Sequence, residues 1–426
     1  MSEGHDRPQS RTGAGQAPCS DHLDMRVTEQ HHPVPHLQAY LVLIGVFAAG
    51  VLGTTLPTPL YVLWQEQYRF PAVMITILFA GYTVGLLTAL LFFGRLSDHF
   101  GRRPTLLLAV GLACVSTLLF VLAQQVLWLL VGRLLSGLAA GLLTGTAAAS
   151  LAELHPAGNT RQAGRLTTVT NLGAMGLGPL VAGLFAQFAP APTRLVFVFY
   201  LLILAVTLLL VGVLPEPVEA PDRVFDLRPR LGVASSAHAV FWPAAVTALC
   251  LSTLLDLFAA LAPTFLRGIL HEPNLALAGG VVCVLFSTAA VSLLLMHGLT
   301  SRRARLFGGI LLLPGLALIE VGMVLSAFPS LLAGTVIAGV GAGLAYTGCL
   351  AAINQVAPPE RKAEMVSAYF VVASLSSLPV VGVGVLAQHT SLLAASLFLA
   401  LLLALLLLLT LAALLWFDRR ERGGKR

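Results

Sequence analysis

Few residues in this chain of 426 can carry charged chemistry, and they fall at separated places. The densest group is Gly94-Arg-Leu-Ser-Asp98-His-Phe-Gly101-Arg102-Arg103. Asp98 beside three arginines can form a charge-paired latch, while Gly94 and Gly101 permit close helix approach and a tight turn. Arg133 stands alone in an apolar run, with Gly137 and Gly141 following at four-residue steps. Asp256 stands alone in Leu254-Leu-Asp256-Leu-Phe258. A charge in such surroundings is costly and usually faces a partner or a water-filled cavity. A carboxyl that is costly to ionise suits proton carriage or a cationic substrate. For Asp256 the alternative is an acid near the outer surface, because its apolar run ends about two turns later. For Arg133 the alternatives are bonding to carbonyls of the first apolar run or snorkelling outward. Glu320 is expected to snorkel to the outer face. Glu153, in Glu153-Leu-His-Pro156, is expected to pair with a loop arginine.

These residues need elements to hold them, and composition says which kind. Residues of the set AVILMFWYC make up 57% of the chain and charged residues 10%, with mean hydropathy +0.88. A soluble domain has roughly 45–50% and 25%. So little charge excludes a cytosolic enzyme, a nucleic-acid binder and a disordered regulator, and makes the bilayer the solvent. Twelve runs of about 20 apolar residues follow: 38–62, 72–93, 104–124, 126–151, 166–187, 195–214, 240–264, 274–297, 306–326, 330–352, 364–388 and 391–417. With the N-terminus inside, 21 of the 25 Lys and Arg fall in inside segments and 3 in outside loops. That bias predicts cytoplasmic termini.

The spacing predicts an all-α membrane protein of twelve helices in two pseudo-symmetric six-helix bundles. The expected segments are a disordered cytoplasmic tail (1–36), the first bundle (37–214), a cytoplasmic linker (215–239), the second bundle (240–417) and a basic tail (418–426). No secretory leader is visible, and Met25 is a plausible start, since nothing upstream reads as structural. Five cysteines without clustered spacing read as small apolar residues, not as a disulfide framework or a zinc site. The halves repeat at an offset of about 200 residues: Gly132, Gly137 and Gly141 align with Gly334, Gly339 and Gly343, and Phe185-Ala-Gln187 with Leu386-Ala-Gln388. Parallel repeats with a site at their interface are a transporter architecture.

The Gly94–Arg103 segment resembles the loop signature of the major facilitator superfamily, and it falls in the matching loop, after the second span. The resemblance implies that Asp98 lies near the start of a helix in the other half, where a helix dipole favours an anion, and that Gly94, Asp98, Gly101, Arg102 and Arg103 form a gate latch on the cytoplasmic side. The equivalent second-half loop, Gly298 to Arg305, is degenerate, with Arg302 where the acid would stand. Arg133 resembles the family's span-four arginine, which implies a part in proton coupling. Gly173-Ala-Met-Gly176-Leu-Gly178-Pro179-Leu-Val-Ala-Gly183 resembles the Gly-Pro motif of the twelve-span drug:proton antiporters, although Ala182 replaces one glycine of the family's final pair. Pro179 removes a backbone bond, so Gly178, Pro179 and Gly183 form a candidate hinge.

Spans one, four, seven and ten are expected to line the path. Thr54-Thr55-Leu-Pro57-Thr58-Pro59 is expected to loosen span one, with Thr hydroxyls satisfying freed carbonyls. Trp64 is assigned to the outer aromatic belt. Tyr61, Asn171, Tyr346 and Asn354 are candidate substrate contacts. The favoured function is proton-coupled efflux of a small amphipathic or hydrophobic compound by alternating access, with Arg133 and Asp256 coupling the proton. The alternatives are proton-coupled uptake of a metabolite or sugar, or a non-transporting sensor. The chain carries no Gly-x4-Gly-Lys-Ser/Thr phosphate loop, no His-Glu-x-x-His and no serine elbow, so an enzyme or a self-contained ATP-driven pump is not expected. Expected partners are the substrate, protons and the lipid bilayer, with no nucleic acid and no cofactor or metal. The protein is expected as a monomer in the cell membrane, with a bacterial inner membrane favoured.

Overall fold

A computed structural model of the protein describes residues 36–94, 96–214, 232–295, 299–358 and 361–423. Among them are twelve helices long and apolar enough to cross a bilayer, and no strand. Spans one to six are Leu37–Tyr68, Val73–Phe92, Arg102–Leu122, Val126–Glu153, Thr160–Phe188 and Pro192–Val213. Spans seven to twelve are His238–Gly268, Leu275–Leu295, Ser301–Val324, Phe328–Val356, Glu364–His389 and Leu392–Trp416. Every apolar run becomes a span, with ends moved by a few residues. The expected tail lies outside the described residues except for His36, which opens a helix. Linker residues 215–231, Arg95 and Gly298 also lie outside them. The last helix continues to Gly423, past the expected start of the basic tail.

Large apolar side chains line the outside, among them Leu202, Leu209, Val213, Leu401 and Phe398. Lipid tails are as apolar as these residues, so helix association rests on close packing instead. The repeated glycines supply that packing in the same way twice. In span four, a Cβ on Gly137 would overlap the Tyr82 carbonyl of span two, and one on Gly141 would meet Ala89. In span ten, Gly339 faces Leu285 and Thr288 of span eight, and Gly343 faces Ala289 and Ser292. Span four therefore sits on span two as span ten sits on span eight, and the sequence repeat is a structural one.

Two spans are interrupted. In span one the first helix ends at Thr55, a 3-10 turn covers Thr58–Leu60, and a second helix runs over Tyr61–Tyr68. Pro57 and Pro59 have no N–H to give, which ends the ladder there. In span eleven, helices Lys362–Ser374 and Ser377–His389 meet at Leu375-Ser376. Pro379 cannot donate to the Leu375 carbonyl, and the Leu378 N–H donates to it instead at 3.0 Å.

The halves approach one another toward the face opposite the described chain ends. Gly183 of span five lies against the Leu275 carbonyl of span eight, and Gly279 of span eight against the Pro179 carbonyl. Gly384 of span eleven lies against Thr76 of span two. The Gln187 side chain accepts the Leu275 N–H at 3.1 Å, and Arg267 pairs with Glu66 between the ends of spans seven and one.

Candidate functional site

The glycine-flanked loop folds into a short helix, Leu96–Phe100, that turns into span three through Gly101. Gly101 has φ +96°, a conformation that side chains disfavour, so the turn needs glycine here. Arg102 is then aimed back at Asp98 (2.6 Å) and Ser97 (2.6 Å), and across to Glu153 at the end of span four. Glu153 takes two bonds, at 2.7 and 3.3 Å. Arg103 donates to the Gly212 carbonyl of span six. The network thus ties spans three, four and six of the first half. Asp98 is the exposed member, its side chain 56% accessible.

Arg133 is 1% exposed in span four. The interruption of span one explains how. Where the helix stops at Thr55 its last carbonyls lack intrahelical donors, and Arg133 donates to the Thr54 carbonyl at 2.6 Å. The faces of Tyr82, Phe79 and Tyr61 lie 4.9, 5.6 and 5.9 Å from its guanidinium carbon. Such contacts stabilise a desolvated cation by about 0.5–2 kcal/mol each. Its Nε has no hydrogen-bond partner among the described residues. The threonine hydroxyls act as expected only in part: Thr54 donates within span one to Val51, and Thr55 reaches the Met175 carbonyl of span five.

Asp256 is half-buried in span seven and accepts a hydrogen bond from Ser376, at the interruption of span eleven. Span seven continues to Gly268, about three further turns, so Asp256 sits near its middle. Pro263 leaves the helix unbroken, and the helix runs about one turn past the end inferred from the apolar run. Arg133 and Asp256 come from different halves, and each charge lies within the other's electrostatic reach, with Tyr82 feeling both.

Pro179 lies inside an unbroken span five, with Gly178 against Leu52 and Thr55 of span one and Gly183 against span eight. Tyr61 is 1% exposed beside Arg133, and its hydroxyl has no hydrogen-bond partner among the described residues. Asn171 and Tyr346 are half-buried, and Asn354 donates to the Leu350 carbonyl of its own helix at 3.0 Å.

Two expectations are corrected. Trp64 is no belt residue: it is 1% exposed and stacked on Phe120 and Phe197, both at 5.8 Å between ring centres. The turn at Thr58–Leu60 re-aims it into the first bundle. Glu320 does not snorkel: it is 9% exposed, and Ser396 of span twelve donates to it at 3.4 Å. Span twelve covers the side of span nine that a peripheral helix would show to lipid.

Sequence reasoning missed Tyr82 and Ser376. Tyr82 looks like any aromatic in an apolar run. Ser376 carried a partial signal: Ser377-Leu-Pro379-Val in span eleven stands about 200 residues after Leu177-Gly-Pro179-Leu in span five, so the repeat marks a second proline within a span, although span five stays unbroken.

Twelve apolar helices in two repeated bundles, with Glu66 of one paired to Arg267 of the other, have the architecture of a membrane carrier. The sequence profile of the Major Facilitator Superfamily matches residues 41–379, and the chain belongs to that family. Among similar proteins is the class D tetracycline resistance protein of Salmonella ordonez, 35% identical over 154 residues, which are 35% of this chain and 37% of that protein. Another is the inner membrane transport protein YnfM of Escherichia coli K12, 28% identical over 181 residues, 40% of this chain and 42% of that one. The alignments thus span less than half the length of these curated relatives. Among solved structures, the human organic anion transporter MFSD10 superposes with a TM-score of 0.66 at 18% identity, covering 89% of this chain and 99% of that one. An inward-facing bacterial homolog of the human lysosomal transporter Spinster gives 0.63 at 14%, covering 89% and 94%. At these identities the structures share the fold. The chain is a multi-pass membrane transporter, not an enzyme.

Proposed function

We propose that the protein exports a small amphipathic or hydrophobic compound in exchange for protons, with Asp256 carrying the proton and Arg133 modulating it. The observation that carries this reading is a carboxyl held near the middle of span seven, within the electrostatic influence of a buried guanidinium from the other half. A carboxyl there changes between a charged form that favours water or a cation and a neutral form that tolerates apolar surroundings. Proton and cationic substrate then compete for it, and occupancy by either one lets the two bundles rock between states. Sparse polar side chains around the site suit an apolar, permissive cargo. Similarity to tetracycline resistance proteins favours export over uptake.

Within this reading Asp98, with Gly94, Gly101, Arg102 and Arg103, acts as the cytoplasmic latch. Gly178, Pro179 and Gly183 act as the hinge, and Tyr61, Asn171, Tyr346 and Asn354 contribute to the cavity. The protein works as a monomer in the bacterial inner membrane with cytoplasmic termini. The test is proton flux in proteoliposomes with a pH-sensitive dye inside, challenged with lipophilic cations and neutral drugs. Proton release from an acid-loaded lumen on substrate addition, lost in Asp256→Asn, is the expected result. Acidification of the lumen on substrate addition would mean symport and overturn export.

A further inference from the structure

Span eleven is built as two helices that belong to different packing units. Its first helix contributes Met365, Tyr369 and Ala373 to a core shared with Phe241, Ala244, Ala245 and Ala248 of span seven and Cys349 and Ile353 of span ten. Its second helix contributes Val380 and Val383 to the core that runs through both halves. That second helix also holds Gly384 against Thr76 of span two, one of the close approaches between the halves. The joint between the two helices is therefore a seam. The first helix packs mainly within the second half, and the second makes the larger contact with span two of the first half.

Ser376 sits at that seam. It is 1% exposed, and its hydroxyl donates to Asp256. The joint itself is weakly held. Pro379 removes one ladder bond, and the Leu375 N–H is shared between the Val371 and Val372 carbonyls, both at 3.2 Å. A joint with a depleted ladder takes its geometry from side-chain bonds. The bond available here is to a carboxyl, and a hydroxyl donating to a charged carboxylate makes a bond roughly twice as strong as one between neutral groups. Among the described residues, the other charged and titratable groups whose charges act on Asp256 are Arg133 of span four and Tyr82 of span two, both from the first half. Among the described residues, Ser376 is the hydrogen-bond partner that connects Asp256 to the seam.

We propose that Ser376 is a positioning residue that lets the charge on Asp256 pin the joint of span eleven and keep the empty carrier closed on the face opposite the chain ends. The inference rests on the reading of Asp256 as the coupling acid. A proton on Asp256, or a cationic substrate against it, weakens the Ser376 bond and frees the second helix of span eleven to leave span two. The charged, unloaded carrier stays locked, and loaded forms switch. That rule is what an exchanger needs in order not to slip.

The test follows the distance between spin labels on Gln67→Cys and Glu272→Cys, both exposed beyond the paired Glu66 and Arg267. The full chain is reconstituted without substrate, its native cysteines are replaced by alanine, and pH is titrated from acid to alkaline. The parent protein is expected to show a longer-distance population at acid pH that disappears as Asp256 ionises. Ser376→Ala should keep that population at all pH values, while Ser376→Thr, which retains the hydroxyl, should restore its loss at alkaline pH. Asp256→Asn should abolish the pH dependence. If Asp256→Asn abolishes it and Ser376→Ala behaves as the parent, the inference falls and Asp256 stands as the coupling acid. If Asp256→Asn leaves the pH dependence in place, the reading of Asp256 falls and the inference falls with it.

Discussion

Asp98→Asn removes one charge from the Asp98–Arg102–Glu153 network and changes almost nothing in shape. Its cost to stability can be worked from the two ion pairs. Asp98 and Arg102 are an i,i+4 pair at 2.6 Å with the Asp98 side chain 56% exposed. Such pairs contribute about 0.3–0.5 kcal/mol, and salt screens them. Arg102 and Glu153 make two bonds, with the Arg102 side chain only 10% exposed and that of Glu153 36%. A bidentate, partly buried pair is worth about 1–2 kcal/mol after allowance for solvent. Asp98→Asn should therefore leave thermal unfolding in detergent close to the parent, while Glu153→Gln lowers it measurably. Transport should show the reverse order if Asp98 is a latch, with Asp98→Asn inserted, folded and slow to cycle. A double-mutant cycle over Arg102→Ala, Asp98→Asn and Glu153→Gln separates the two couplings. Equal coupling energies would refute the ranking. Parent-level transport by Asp98→Asn would refute the latch.

Gly137→Ala should destabilise the first half, because its Cβ would overlap the Tyr82 carbonyl, whereas Gly145→Ala meets open space and should be neutral or gain up to about 1 kcal/mol of helix stability. Thermal melts of the two variants compare them directly. Trp64→Ala should cost about 3–5 kcal/mol, as expected for a fully packed aromatic; a change below about 1 kcal/mol, read as a shift of the melt, would put Trp64 back at the lipid interface. Glu66→Gln should change stability by less than about 1 kcal/mol, since both partners are half exposed, but should raise the population open on that face in spin-label distances. Arg133→Lys should stay folded yet lose substrate-driven proton exchange. A compact ammonium keeps the charge without the planar fork that fits between the Thr54 carbonyl and three aromatic faces.

The spans, the repeat and the turn at Gly101 could be read from the chain because each rests on local rules. These rules are hydropathy over about 20 residues, glycine spacing, and a glycine where φ must be positive. What escaped reading depends on where helices break and who covers them. The fate of Trp64 turns on the 3-10 turn at Thr58–Leu60, which rotates the end of span one inward. Glu320 looks peripheral until Ser396 of span twelve is brought beside it. The near-surface alternative for Asp256 arose because its apolar run ends about two turns later, whereas the helix continues to Gly268. The pairing of Asp256 with Ser376 joins residues 120 positions apart, and no periodicity reports such a distance.

The most direct test of the central claim is proton release on binding. The purified protein is placed in weakly buffered solution and mixed with the compound that drives proton flux in vesicles. Competition at Asp256 predicts that binding releases protons at a pH where the carboxyl is protonated, and that Asp256→Asn binds without release. Equal release by the parent and Asp256→Asn would contradict Asp256 as the proton carrier, and proton uptake on binding would contradict exchange altogether.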